Sequence, residues 1–197
     1  MSDEFTDSAG RGPYLSDPAP VDRTAPRIDS FTGEYGFLSN FYPVEVRFPD
    51  YKSQMTMNYP SVEHGYQAAK TIDPNHRDWV RSAETASEAK RRGQKVTMRS
   101  GWNATMRVSV MAGLLRQKFR LEPLRSQLLA TGDAELIEGN TWHDQFWGDC
   151  RCPQHIGMGG LNWLGELLMK VRRELRSESS AGPRPTQDAT SSSGSAT

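Results

Sequence analysis

The sequence predicts a mainly α fold, a compact single helical domain with a small antiparallel β element near its N-terminus. Two observations lead to this fold class. Apolar residues recur at spacings of three and four in several segments, as they do in helices with one buried face. Only V-E-V-R-F (44–48) and M-T-M-N-Y (55–59) alternate apolar and polar residues as half-buried strands do.

The predicted elements follow one another along the chain without an internal repeat. The aromatic segment 34–43 is predicted to be a loop that enters the first strand, because Gly36 and Pro43 interrupt it. A helix is expected over 61–70, with Ser61 as its N-cap. Further helices are predicted over 74–81, 85–92, 104–119, 121–129 and 164–175.

The two ends of the sequence differ from its middle in composition. Residues 1–29 are rich in Pro, Asp, Ser and Gly, and residues 177–197 are of low complexity. Such segments bury too little apolar surface to offset the entropy that is lost when they become ordered. We therefore expect a disordered tail at 1–29, one domain at 30–176 and a second disordered tail at 177–197.

The charge of the predicted domain favours an anionic ligand. The whole chain has a formal net charge of zero, but residues 30–176 contain 20 basic and 16 acidic side chains. This small excess suits a ligand that carries phosphate and is far below that of a dedicated nucleic-acid binder.

Cysteine usage and hydropathy limit the cellular setting. The two cysteines are separated by one residue, so the sequence does not predict a disulfide scaffold. It shows no leader pattern and no apolar run long enough to span a membrane. We expect a soluble cytoplasmic protein with no membrane partner.

The segment S-V-E-H-G-Y-Q-A-A-K (61–70) predicts a helix with an unusual polar face. Gln67 follows Glu63 by four residues and Lys70 follows it by seven, so the three side chains project in similar directions. The face is either solvated and carries a loose charge pair, or it forms one wall of a polar site. Spacing alone leaves both interpretations open.

The segment T-W-H-D-Q-F-W-G (141–148) places three large aromatic residues around Asp144. Aromatic faces suit stacking on a nucleobase or a sugar, and a carboxylate beside them can bind ribose hydroxyls or stabilise a developing cation. The alternative is an aromatic mini-core with an exposed aspartate.

Two other clusters invite a ligand. The glycines of G-M-G-G (157–160) precede the last predicted helix, where backbone N–H groups either bind a phosphate or simply belong to a flexible entry. Four potential zinc ligands, His143, Cys150, Cys152 and His155, lie within 13 residues. Their spacing lacks C-x-x-C and the chain has no second cysteine pair, so we expect no metal ligands and no cofactor.

Several short motifs follow one another along the predicted domain. They are F-L-S-N-F-Y-P (37–43), S-V-E-H-G-Y-Q-A-A-K (61–70), R-S-G-W (99–102), K-F (118–119), T-G-D (131–133), D-Q-F-W-G (144–148) and G-L-N-W-L-G-E-L-L-M-K-V-R (160–172). Their order and spacing resemble the NADAR/YbiA-like family over about residues 31–176. Within this range, the segment 150–157 resembles an insertion into the family pattern.

The resemblance implies a YbiA-like fold and an N-glycosidase. Its substrate would join an amine-bearing base to C1 of a phosphorylated ribose, in a riboflavin-pathway ribosylamino-pyrimidine phosphate or in ADP-ribosylated guanine of nucleic acid. The second substrate implies a pairing with an ADP-ribosyltransferase toxin. The alternative is a protein of a different functional class, a non-catalytic module that binds ADP-ribose or a nucleotide. Such a module needs the aromatic residues but no catalytic residues.

The resemblance also implies the site residues. Glu63, Lys70 and Asp144 are the candidate catalytic residues, with Lys70 acting either as a Schiff-base nucleophile or as a charge clamp. The candidate substrate-binding residues are Asn40, Phe41, Gln67, Arg99, Trp102, Trp147, Gly148, Gly160 and Asn162.

Overall fold

The computed structural model of the protein describes residues 26–49 and 56–180. The four helices predicted between residues 61 and 119 are confirmed to within one residue at each end, and each begins after a side-chain cap. The helices of the described residues are α1 (Val62–Ala69), α2 (Pro74–Arg81), α3 (Ala86–Gly93), α4 (Ala104–Lys118), α5 (Leu124–Ala130) and α6 (Trp163–Ser180).

The strands form three two-stranded sheets within the described residues. The predicted antiparallel pair is β2 (Pro43–Pro49) with β3 (Thr56–Ser61), in a register that places Val46 opposite Tyr59. Two parallel pairs were not predicted, because two-residue strands carry no alternation. They are β1 (Arg27–Ile28) with β4 (Glu135–Leu136), and β5 (Gly139–Asn140) with β6 (Asp149–Cys150).

Several sequence-based boundaries change. The helix predicted over 121–129 begins three residues later, at Leu124, and ends at Ala130. The segment predicted as a loop at 34–43 contains a 3-10 helix, Gly33–Leu38, which buries Phe37 and Leu38. Residues 27 and 28 form β1 and residues 177–180 continue α6, so regular structure extends beyond both predicted domain limits. The rest of the two predicted tails lies outside the described residues.

Helix α1 lies at the centre of the fold. It packs against β2, β3, α2, α3 and α4, while α6 packs against α4, α5 and β4. Burial of each large core side chain contributes about 1.5–3 kcal/mol to stability. The most deeply buried of these include Leu38, Val46, Tyr59, Leu114, Leu115, Phe119, Leu128 and Leu168. Across 26–49 and 56–180, no helix is both long and apolar enough to cross a bilayer.

A buried arginine fastens α6 to the turn that leads into β4. Arg172 is 4% exposed, and its guanidinium donates to Thr131 Oγ1 at 2.6 Å and to Ala134 O at 2.8 Å. Burial lowers the pKa of Arg172 to about 10. The position of α6 therefore depends on a charged group that makes specific hydrogen bonds.

Arg172→Ala should lower the free energy of unfolding by about 2–4 kcal/mol, because two charged hydrogen bonds are lost and a buried carbonyl loses its donor. Urea denaturation measures the change. Arg173→Ala is the matched control, since the neighbouring side chain is exposed. Equal stability of the two variants would show that the buried hydrogen bonds contribute nothing.

Candidate active site

The polar face of α1 is buried, so the interpretation of 61–70 as a solvated face is wrong. Every residue of α1 is buried, with Glu63, His64 and Gln67 only 5%, 3% and 4% exposed. Polar side chains in such surroundings need partners, because an unpaired buried group costs about 1–3 kcal/mol. The partners show which groups are structural and which are available to a ligand.

His64 is a structural residue. Its Nε2 lies 3.2 Å from Ala83 O, which can only accept, so Nε2 carries the hydrogen. Its Nδ1 lies 2.8 Å from the hydroxyl of Ser61, the N-cap of α1. Burial lowers the pKa of His64, and both ring nitrogens are used within the protein.

Gln67 orients Glu63. The Gln67 side-chain N–H donates to Glu63 Oε1 at 2.7 Å. Gln67 itself packs beneath Gly93, the last residue of α3, where any Cβ would overlap the glutamine side chain. Gln67, a predicted substrate-binding residue, thus lies between Glu63 and α3, and it fixes the direction of the Glu63 carboxyl.

Asn40 joins the loop before β2 to the start of α1. Its carbonyl oxygen accepts the N–H of Glu63 at 3.0 Å. Asn40 Oδ1 and Gln67 Oε1 are buried and have no hydrogen-bond donor among the described residues. Gln67 Oε1 faces Gly93 of α3, which leaves Asn40 Oδ1 as the acceptor that can bind an N–H or O–H group of a ligand.

Burial raises the pKa of Glu63 above its ordinary value. The hydrogen bond from Gln67 opposes the rise, as do the charges of Lys90 and Lys70, whereas the charge of Asp144 adds to it. Glu63 therefore shares one electrostatic environment with two amines and a second carboxylate. Such mixed clusters of shifted groups are typical of catalytic sites.

Lys70 lies at the C-terminal end of α1 and is half-buried. Its Nζ is 5.6 Å from the centre of the Tyr66 ring. Burial lowers the pKa of Lys70; the charge of Glu63 opposes the change, and Arg107 and Lys90 add to it. These surroundings favour the neutral amine, which is the nucleophilic form.

Aromatic rings surround Tyr66 and form a wall beside Lys70. The Tyr66 ring lies 5.6 Å from Trp102 and makes an edge contact with Trp147 at 5.4 Å. Arg107 donates to the Tyr66 hydroxyl at 3.4 Å, and its guanidinium lies 3.9 Å from the centre of the Phe146 ring. The two predicted residues Trp102 and Trp147 therefore lie against the same tyrosine. Arg107 adds a positive charge that the sequence analysis missed.

Asp144 is held rigidly by the backbone that follows it. Its Oδ1 accepts the N–H groups of Phe146 at 3.1 Å and Trp147 at 2.8 Å. The Asn140 side chain donates to Asp144 O at 2.7 Å and accepts from Asp144 N at 3.2 Å. The predicted catalytic carboxylate is therefore fixed relative to the aromatic wall.

The start of α6 binds this same loop, which argues against the phosphate interpretation of 157–160. Gly160 N donates to Asp149 Oδ1 at 2.8 Å, so its N–H already has an anionic partner. Because the first N–H groups are used within the protein, they are not available to a phosphate. The N–H groups of residues 161, 163 and 164 donate to the carbonyl oxygens of residues 145, 146 and 147 at 2.8, 3.1 and 3.0 Å.

Gly148 and Gly160 are sites of close backbone approach. A Cβ at Gly148 would overlap the carbonyl oxygen of Glu138, and one at Gly160 would overlap the carbonyl oxygen of Gly148. Glycine is needed at both positions for the loop to lie against β5 and β6. Their predicted role in binding substrate stays a prediction.

Glu138 is a second shifted carboxyl, and the sequence analysis missed it. Burial raises its pKa to about 7; the charge of Asp144 adds to the rise and that of Lys90 opposes it. Its Oε2 is buried and has no hydrogen-bond partner within the described part of the chain. Nothing in the sequence distinguishes this glutamate, because only the fold brings it near Asp144 and Lys90.

Asn162 positions Glu138 rather than presenting a free amide. Its Oδ1 accepts the N–H of Glu138 at 3.0 Å, and its Nδ2 donates to Leu136 O at 2.8 Å. Asn162 adopts a left-handed conformation, with φ of 47°. Both polar atoms of the predicted substrate-binding side chain thus hold the backbone around Glu138.

The rim of the site is aromatic and positively charged. Lys90 Nζ lies 5.9 Å from the ring centres of Phe41 and Trp142, which are 39% and 58% exposed. The charge of Lys90 also opposes the rise in the pKa of both Glu63 and Glu138. The predicted residue Phe41 therefore lies close to a cation of the site.

Arg99 is adjacent to Lys70 through its backbone. Its N–H donates to Lys70 O at 2.7 Å. Arg99 also lines a separate groove of about 380 Å³ between β2 and α4, together with Arg47, Met106 and Gln117. None of the buried carboxyl groups lines that groove, so we place the candidate site at the aromatic wall instead.

Comparisons with known proteins identify the family to which this fold belongs. The sequence profile of the NADAR domain family matches residues 29–176. The chain is 36% identical over 155 residues to the N-glycosidase YbiA of Escherichia coli, covering 76% of this chain and 87% of that protein. The NMR structure of E. coli YbiA has a TM-score of 0.63 at 30% identity, covering 82% of this chain and 95% of YbiA.

Two other relatives are longer proteins. The chain is 42% identical over 146 residues to a riboflavin biosynthesis protein of Vibrio vulnificus, and the match covers 72% of this chain but 36% of that protein. It is 36% identical over 154 residues to the chloroplastic riboflavin biosynthesis protein PYRR of Zea mays, covering 72% of this chain and 23% of that protein. The chain thus spans about a third or less of these two relatives.

The shifted pKa of Glu138 predicts a pH dependence of stability. Between pH 4.5 and about 7 the unfolded carboxyl loses its proton while the folded one keeps it, so the free energy of unfolding falls as the pH rises. Glu138→Gln should reduce this fall. The raised pKa of Glu63 acts in the same direction and the lowered pKa of His64 in the opposite one, and both contributions remain in the variant. Urea denaturation from pH 4.5 to 7.5 measures it, with exposed Glu34→Gln as control. Identical pH profiles of stability for wild type and Glu138→Gln would contradict a raised pKa of Glu138.

Proposed function

This chain belongs to the NADAR domain family, and from that premise we propose that it is an N-glycosidase, a hydrolase of N-glycosyl compounds. The observation that carries the proposal is the group of Glu63, Lys70 and Glu138, whose pKa values are all shifted by burial toward the neutral forms. Carboxyl groups and an amine whose charged forms burial disfavours, beside an aromatic wall, suit cleavage of a bond between ribose and a base.

The expected substrate joins the exocyclic amine of a base to C1 of a phosphorylated ribose. Trp102 and Trp147, which are half-buried and pack against the buried Tyr66, offer stacking surfaces for the base. Arg107 and Lys90 supply positive charge near that wall, which suits phosphate. We favour a ribosylamino-pyrimidine phosphate, because two relatives are named riboflavin biosynthesis proteins.

The first chemical step is protonation of the leaving amine. Glu138 is suited to this step because its pKa of about 7 keeps a large fraction protonated at neutral pH. As the C–N bond breaks, positive charge develops on C1 and the ring oxygen. The Asp144 carboxylate, fixed by two backbone N–H groups, is the group that stabilises this charge.

Lys70 gives the site a covalent route. The glycosylamine opens to an imine, the neutral Lys70 amine adds to C1, and the base leaves with its amine and a proton. Water then adds to the resulting Lys70 imine, releases the ribose phosphate as an aldehyde that recloses, and regenerates the amine. The lowered pKa of Lys70 supports this route over a purely electrostatic role.

The test of the proposed function is hydrolysis of a purified ribosylamino-pyrimidine phosphate by the full chain. We expect release of the free aminopyrimidine and ribose phosphate, measured by liquid chromatography and mass spectrometry. A guanine nucleotide with ADP-ribose on its amino group serves as a second substrate, because it contains the same type of bond. Tight binding of either compound without any release of base would identify a non-catalytic binding module instead.

Lys70 variants distinguish the two routes. Borohydride added during turnover should trap a sugar adduct on Lys70, detected by peptide mass spectrometry. Lys70→Arg keeps the charge but lacks a readily deprotonated amine, so on the covalent route it should be inactive and form no adduct. Lys95→Ala, which changes an exposed lysine, is the matched control and should keep full activity. Full activity of Lys70→Ala would remove Lys70 from the mechanism altogether.

A further inference from the structure

We propose that His143, Cys150, Cys152 and His155 bind one structural zinc ion. The four side chains each direct one ligand atom into a common space, and these atoms all lie within 4.8 Å of one another. They include both cysteines and two of the four histidines of the sequence. Linear spacing suggested a metal-free loop, but the fold assembles a Cys₂His₂ set. The inference does not depend on the proposed N-glycosidase activity.

The distances among three of the ligand atoms are close to those of tetrahedral zinc. With Zn–N about 2.0–2.1 Å and Zn–S about 2.3 Å, the ligands of a regular tetrahedron lie about 3.3–3.8 Å apart. The His143 and His155 Nδ1 atoms are 3.4 Å apart, and Cys152 Sγ lies 3.3 and 3.2 Å from them. Three ligands thus already form one near-equilateral face of such a tetrahedron.

Three local features bring the four ligands together, although their spacing in the sequence lacks the C-x-x-C pattern. Pairing of β5 with β6 places Cys150 beside Asn140, close to the turn that carries His143. The N–H of His155 donates to Cys152 O at 2.9 Å, in a tight turn that directs both side chains to the same side. His143 adopts a left-handed conformation with φ of 67°, which is uncommon outside glycine.

Hydrogen bonding alone accounts poorly for this convergence. Each of the three close atoms lies within 3.4 Å of both others, whereas a thiol or a neutral imidazole has one hydrogen at most to direct toward a single neighbour. A cation at their centre satisfies all of them simultaneously. Two thiolates and two imidazoles in tetrahedral arrangement favour zinc over metals that prefer oxygen ligands or planar geometry.

The ion would have a structural role, because four protein ligands leave no open coordination position for substrate or water. Its ligand His143 lies between Trp142 at the rim of the candidate active site and Asp144 within it. The two cysteines are 1% and 6% exposed, whereas His143 is exposed and His155 is half-buried, so the proposed ion would be covered by protein on its cysteine side only. Zinc would therefore tie the 149–158 segment to the loop that carries Asp144.

The test measures zinc in the purified full-length chain. After dialysis against a weak chelator, elemental analysis by inductively coupled plasma mass spectrometry should find about one zinc per chain. Cys152→Ser and His155→Ala should each lose most of it. His76→Asn, which removes a histidine that lies outside the cluster, is the matched control and should retain it. X-ray absorption at the zinc edge should show two sulfur and two nitrogen neighbours.

A second measurement does not depend on how the variants fold. The wild-type chain, stripped with a strong chelator under reducing conditions, is titrated with zinc chloride while its melting temperature is recorded. We expect the melting temperature to rise until one equivalent is bound, with release of the two thiol protons. Failure of the reduced wild-type chain to bind zinc, or equal zinc content in Cys152→Ser and wild type, would overturn the proposal. Neither result concerns N-glycosidase activity.

Discussion

The complete burial of α1 is the constraint on which the site depends. An eight-residue helix with no exposed face cannot place a glutamate, a histidine and a glutamine in water, so each polar group must be paired or kept neutral. Ser61 and Ala83 satisfy His64, and Gln67 pairs with Glu63. The same desolvation raises the pKa of Glu63 and lowers that of Lys70, so packing and reactivity have one physical cause.

The other half of the site comes from the C-terminal part of the chain and is fixed by a different device. There, hydrogen bonds to the backbone set the positions, rather than apolar packing. Asp144 accepts the N–H groups of Phe146 and Trp147. Asn162 accepts the N–H of Glu138 and donates to the carbonyl oxygen of Leu136. Long-range charge interactions with Lys90 connect the two halves. A small helical domain thereby places carboxyl groups from distant segments in one electrostatic environment.

The sequence was informative wherever a signal is local. Capping residues and apolar spacing located the helices from 61 to 119, and the polar stripe of 61–70 offered a polar site as one of two interpretations. It failed where the signal depends on tertiary contacts. The short parallel pairs have no periodicity, Glu138 becomes unusual only through burial, and the glycines of 157–160 resemble an anion loop although the adjacent helix start binds the chain's own carbonyls.

The hydrogen bonds between the start of α6 and residues 145–147 have a consequence for dynamics. A surface loop normally opens by itself, at a small fraction of the global unfolding free energy. Here the amide hydrogens of residues 161, 163 and 164 are shared between the loop and the longest helix of the described chain, so neither can open without the other. We therefore expect the wall that carries Trp147 to unfold together with α6, and its amides to exchange with solvent at the rate of that helix.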